Sequence, residues 1–115
     1  MINEQKEKRI TDTKDKLQGI WFEQVKNPQC LNFVGNSVEV YSFPSKEDFR
    51  ILQYEILLKD FNEIHCNIYI NFLVKTSSEV LQYILEQFDS EQGILTIKND
   101  VKTIEYARSI LVYQE

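Results

Sequence analysis

The stretch Leu17-Gln18-Gly19-Ile20-Trp21-Phe22 holds the only tryptophan of the chain and its first dense run of apolar residues. Before it, Asn3 to Lys16 is polar, with Ile10 the single apolar residue. That leader (residues 1–16) reads as a short helix or as disordered chain. After it the texture changes. β-branched and aromatic residues dominate, and turn residues interrupt them about every ten positions, the signature of an all-β sandwich or barrel. The chain therefore divides into the leader and one β domain over residues 17–115.

Ile20–Val25, Cys30–Val34, Ser37–Phe43, Phe49–Leu58 and Ile64–Val74 read as five strands. Asn27-Pro28-Gln29 and Gly35-Asn36 supply turns between them, the second a tight hairpin in which both residues tolerate positive φ. Ile64 to Val74 alternates cleanly. Ile64, Cys66, Ile68, Ile70 and Phe72 oppose His65, Asn67, Tyr69 and Asn71, one dry face against one polar face. Ile94–Lys98 and Lys102–Val112 are two further strands. Glu79–Phe88 is ambiguous. Leu81, Ile84, Leu85 and Phe88 sit at helical spacing behind a Ser77 or Ser78 N-cap, whereas Leu81, Tyr83 and Leu85 fit a strand. The connections are short, so neighbours are antiparallel. Seven or eight such strands expose two edges unless they close, and closure removes that liability. The expected fold is an antiparallel up-and-down meander forming a closed or nearly closed barrel. The alternative is an α+β fold with residues 79–88 helical.

Gly19-Ile20-Trp21 fits a G-x-W pattern at the head of the meander, and Arg108 lies in Tyr106-Ala107-Arg108-Ser109 of the last strand. Together these resemble the lipocalin-like members of the calycin superfamily, in particular short bacterial lipocalin-like domains. The resemblance spans about residues 17–113 in topology and rests on that triplet and that arginine. It implies that Trp21 plugs the closed end of the barrel and that Arg108 packs across its ring. Such cation–π stacking is worth about 0.5–2 kcal/mol. The chain is much shorter than the secreted lipocalins.

Composition narrows the function classes. At 115 residues, 43% hydrophobic and 27% charged, the chain makes one globular domain with its own core. The net charge is −5, divided as +1 over residues 1–16 and −6 over the remainder. An acidic body disfavours nucleic acid and suits a basic protein partner. No apolar run is long enough to span a bilayer, and the charged leader is unlike a secretory signal, so the expected location is cytoplasmic. Cys30 and Cys66 belong to no C-x-x-C or zinc pattern and read as structural thiols. His65, the only histidine, neighbours Cys66. On a strand the two point to opposite faces and cannot form a dyad. Glu55, Glu86 and Glu105 lie within strands with no spacing that singles out a catalytic pair. The three glycines are too few for a phosphate-cradling loop. No catalytic, metal or cofactor site is expected.

Bulky Leu, Ile, Phe and Tyr would fill a small eight-stranded barrel, leaving a crowded interior or a narrow pocket. The first expectation is thus a non-catalytic binding protein acting through protein contact, such as an immunity or inhibitor protein that neutralises a basic toxin enzyme. Its contact surface would draw on the loop acids Glu47, Asp48, Asp60, Glu63, Asp89 and Glu91. The alternative is a lipocalin-like carrier of a small hydrophobic ligand.

Overall fold

The computed structural model describes residues 2–59, 67–74 and 77–109. One helix precedes eight strands: α1 (Ile2–Leu17), β1 (Gly19–Glu23), β2 (Gln29–Val34), β3 (Ser37–Ser42), β4 (Arg50–Lys59), β5 (Asn67–Val74), β6 (Glu79–Asp89), β7 (Ile94–Lys98) and β8 (Thr103–Ala107). The strands pair in sequence order and β8 returns to β1, closing an all-antiparallel barrel. The closing seam is short, joining Phe22 to Ala107 and Glu23 to Tyr106. Gln24 extends it, its backbone N–H donating to the Glu105 carbonyl at 2.9 Å and its side-chain amide to the Ser109 carbonyl at 2.9 Å.

The ambiguous segment is a strand. β6 pairs with β5 along one side and β7 along the other, with a register shift between Leu85 and Gln87. That shift explains the helix-like spacing. Leu81, Tyr83 and Leu85 follow a period of two toward the lumen. The extra residue Glu86 then moves the phase by one, so that Phe88 also turns inward and meets Trp21 at 6.1 Å between ring centroids. A β-bulge thereby imitates the i, i+4, i+7 pattern of an amphipathic helix.

The leader is a helix, and it is not separate from the barrel. Leu17 is fully buried, Thr13 is buried, and Ile10 packs against the same core cluster as Trp21 and Tyr54. A helix this polar and this short is marginal alone in water. Burying one apolar edge across the barrel end supplies what its sequence lacks. Its charged faces carry pairs such as Lys8–Asp12 at 3.2 Å. α1 is far too charged to cross a membrane, and no described helix is long and apolar enough to do so.

The core runs the length of the barrel. Leu17, Trp21, Phe33, Val38, Tyr54, Ile56, Ile70 and Leu95 fill the helix-covered end. A second, outer cluster lies on the opposite side of β1, β2 and β3. Phe22, Cys30 and Tyr41 face out there, and the β3–β4 connection folds down over them. Phe43 meets Phe22 edge-on at 5.1 Å, and Phe49 stacks on Tyr41 at 6.0 Å. Backbone bonds from Ser42 N–H to the Glu47 carbonyl and from Phe43 N–H to the Pro28 carbonyl hold the strap down.

Leu17→Ala should lower the unfolding free energy by about 3 kcal/mol, since it empties a fully buried site, whereas Lys8→Ala should change it by under about 0.5 kcal/mol. Urea unfolding followed by Trp21 fluorescence measures both, and equal effects would show that α1 is not part of the core.

Candidate functional site: two unlike ends of one barrel

In a meander, successive connections alternate between the two ends. The β2–β3 and β6–β7 turns, α1 and Arg108 share one end. The β1–β2, β3–β4 and β7–β8 connections share the other.

The first end is closed by polar bonds as well as apolar packing. Arg108 follows β8 and lays its guanidinium over Trp21, with Cζ 3.8 Å from the ring centroid. The same group donates to the carbonyls of Lys16 at 3.0 Å, Gln18 at 2.8 Å and Ile20 at 3.0 Å. Trp21 Nε1 donates to the Leu17 carbonyl at 2.8 Å. The Lys16 and Leu17 carbonyls belong to the last turn of α1, acceptors that a helix end leaves without partners; Gln18 follows the helix and Ile20 lies in β1. A cation there also opposes the negative end of the helix dipole. Burial lowers the Arg108 pKa, yet the group keeps its charge at neutral pH.

Two glycines make room for that arginine. A Cβ on Gly93 (φ +72°) would stand 2.9 Å from Arg108 Cγ, and one on Gly19 (φ +103°) would stand 3.1 Å from a guanidinium nitrogen. The glycine of the G-x-W triplet is therefore needed for close approach and for its left-handed backbone. Gln18 secures the neighbouring turn. Its carbonyl oxygen accepts from Gly35 N–H at 2.7 Å, and its amide donates to the Tyr54 hydroxyl at 3.0 Å. The Tyr54 hydroxyl in turn donates to the Gly35 carbonyl at 2.7 Å.

The other end is open. A cavity of about 140 Å³ enters the lumen there. Its apolar wall is built from inward-facing side chains, Leu31, Val40, Leu52, Phe72, Leu81, Ile97 and Ile104 among them. Two tyrosines, Tyr83 and Tyr106, also line it and are only 6% and 5% exposed. Among the described residues neither hydroxyl has a hydrogen-bond partner. Burial pushes the Tyr106 phenol well above its ordinary pKa, with the charges of Glu23, Tyr83 and Cys30 adding to the effect. The polar side chains of the lining are Gln29, Arg50 and Lys102, of which Arg50 and Lys102 are exposed. Neither cation forms an ion pair among the described residues. Arg50 donates only to the Asp48 carbonyl at 3.1 Å. This end therefore offers an apolar cup, two buried hydroxyls and a cationic rim.

The acids expected to make a contact surface do not share a face. Glu47 and Asp48 lie exposed in the strap at the open end. Asp89 and Glu91 lie at the closed end, and Asp89 is occupied, its carboxylate accepting from Glu91 N–H and Gln92 N–H at 3.0 Å each. It builds the turn that carries Gly93. Asp60 and Glu63 lie outside the described residues, as do His65 and Cys66. Glu55 and Glu105 are exposed on the outer surface, and Glu86 pairs there with Lys98 at 2.9 Å. No cluster of His, Cys, Asp and Glu suited to a metal occurs among the described residues. Sequence reasoning missed Arg50, Tyr83, Lys102 and Tyr106. Alternation could have placed Tyr83 and Tyr106 inward. It gives no sign of which inward residues border an opening.

Comparison with protein-family models, with curated proteins and with solved structures returned no match.

Two measurements test the site chemistry. Arg108→Lys should destabilise the fold by about 2 kcal/mol, because an ammonium cannot span three carbonyls and the ring together; chemical denaturation reads this, and a change under about 0.5 kcal/mol would mean that the stacking is incidental. Cys30 is fully buried, and burial with the Glu23 charge pushes its thiol pKa up to about 11. In a Cys66→Ser background, iodoacetamide at pH 8 should leave Cys30 unmodified until denaturant is added, since the reactive thiolate is about one part in a thousand. Mass spectrometry detects the adduct, and labelling of the folded protein would contradict the burial.

Proposed function

We propose that this protein is a non-catalytic, lipocalin-like binding protein that receives a small, largely apolar ligand in the open end of its barrel. The observation that carries this reading is the pair of buried hydroxyls on Tyr83 and Tyr106, without partners among the described residues, in a cavity whose wall is largely apolar. A buried polar group without a partner costs about 1–3 kcal/mol, and a ligand that supplies the partner recovers it. Packing at the closed end and an opening at the other follow the plan of a one-mouthed cup. The placement of Gly19, Trp21 and Arg108 supports a lipocalin-like ancestry.

The protein-contact reading, with a basic toxin enzyme as partner, draws on the net charge of −5. It has less geometric support. The described acids are split between the two ends, and Asp89 serves its own turn. The cavity is small, so the cargo is small. A volume of 140 Å³ is below the range of about 300–1,000 Å³ usual for drug-sized ligands.

Titration of the isotope-labelled protein with benzyl alcohol should shift the amide signals of Leu31, Val40, Phe72, Leu81 and Ile104 and leave those around Trp21 and Leu95 in place. Shifts centred on the closed end, or none up to the solubility limit, would end this reading.

A further inference from the structure

We infer that the ligand of the open end is a small carboxylic acid in its anionic form, with its apolar body inside the barrel and its carboxylate at the rim between Arg50 and Lys102. The inference rests on the ligand-binding reading above and names the chemical class.

Four features of the cavity support it. First, among the described residues the charged side chains lining it are both cations, although the chain as a whole is acidic. Acids of the same end, Glu47, Asp48, Glu79 and Asp100, lie outside the lining. Second, both cations are without ion-pair partners among the described residues, so their donors are available. Arg50 commits one nitrogen to the Asp48 carbonyl, which steadies the side chain and leaves its other donors for a carboxylate. Third, the interior repels an anion. Leu31, Val40, Phe72, Ile97 and Ile104 give a charge no solvation, and Glu23 places a negative charge near enough to raise the Tyr106 pKa. A charged group is thereby directed outward, toward the rim. Fourth, the buried hydroxyls of Tyr83 and Tyr106 can serve a neutral oxygen on the far end of the same molecule. The volume holds roughly five waters by liquid packing, which matches one ring rather than a long chain.

An aryl acid with a para oxygen satisfies all of these at once: ring in the cup, oxygen on the tyrosines, acid on the cations. The surplus of negative charge elsewhere gives no long-range attraction for such an ion, so discrimination comes from the rim itself.

The test uses the full chain and three probes: phenylacetate, 4-hydroxyphenylacetate and the neutral phenylacetamide. Calorimetry or amide shift titration should give phenylacetate a dissociation constant about tenfold lower than phenylacetamide, as expected of charge-assisted bonds at a partly exposed site. In the Arg50→Gln, Lys102→Gln double variant that ratio should fall to about one through weakened phenylacetate binding; both positions are exposed, so the fold is retained. 4-Hydroxyphenylacetate should bind about fivefold tighter than phenylacetate to the wild type, and Tyr106→Phe should abolish that advantage alone. Phenylacetamide binding as well as phenylacetate, at the same residues, would overturn the carboxylate inference and leave the ligand-binding reading intact. Failure of all three probes to shift any lining residue would overturn both.

Discussion

The Arg108 guanidinium sits where three parts of the chain meet, and the rest of the closed end follows from satisfying it. Below it is the Trp21 ring of β1. Around it are the carbonyls that end α1 and lead into β1. Beside it are the backbones of Gly19 and Gly93, where a Cβ would crowd the arginine and strain a positive φ. A half-buried cation is costly unless its donors are used and its charge is met. Here the donors meet carbonyl oxygens and the π face meets the charge. One residue after β8 thus caps the helix, covers the tryptophan and joins the last strand to the first. That matters because the β1–β8 seam has only two residue pairs of its own.

Closing one end so firmly determines what the other can be. Trp21, Leu17 and Phe88 pack together at that end, beside a groove of about 390 Å³ between α1 and the barrel that Thr13, Ile68, Leu85 and Phe88 line. The strands β4, β5 and β6 are longer than their neighbours and carry Leu52, Phe72 and Leu81 out to the other rim. The end away from α1 is thereby left concave. The strap over Cys30 and Tyr41 consumes apolar surface that would otherwise be exposed near the same rim. Walls built of paired strands suit a preformed site, in which little ordering has to accompany binding.

The same layout separates the charges by role. Glu47 and Asp48 sit on the strap, Asp89 shapes the turn beneath Arg108, and Lys98 answers Glu86 on the outer wall. Among the described residues, Arg50 and Lys102 are the charged side chains that line the open cavity. A net charge of −5 is therefore a poor guide to what approaches the cavity. Screening confines these effects to within about 10 Å, so the local arrangement governs recognition.

The linear sequence determined the class of fold. Alternation in β5, the turn at Gly35-Asn36 and short connections throughout are enough to require an antiparallel meander, and the liability of free edges is enough to favour closure. The G-x-W triplet and Arg108 were legible as a pair through resemblance. Three things were decided only in three dimensions. The bulge at Glu86 is invisible in a pattern because one slipped residue converts a period of two into a helical spacing. The helicity of residues 2–17 depends on a core edge provided by residues far along the chain. The open cavity depends on where strands end relative to one another, and Arg50, Tyr83, Lys102 and Tyr106 come together only when the barrel closes. Periodicity is a local property and states which way a side chain points; an opening is a sum over all eight strands.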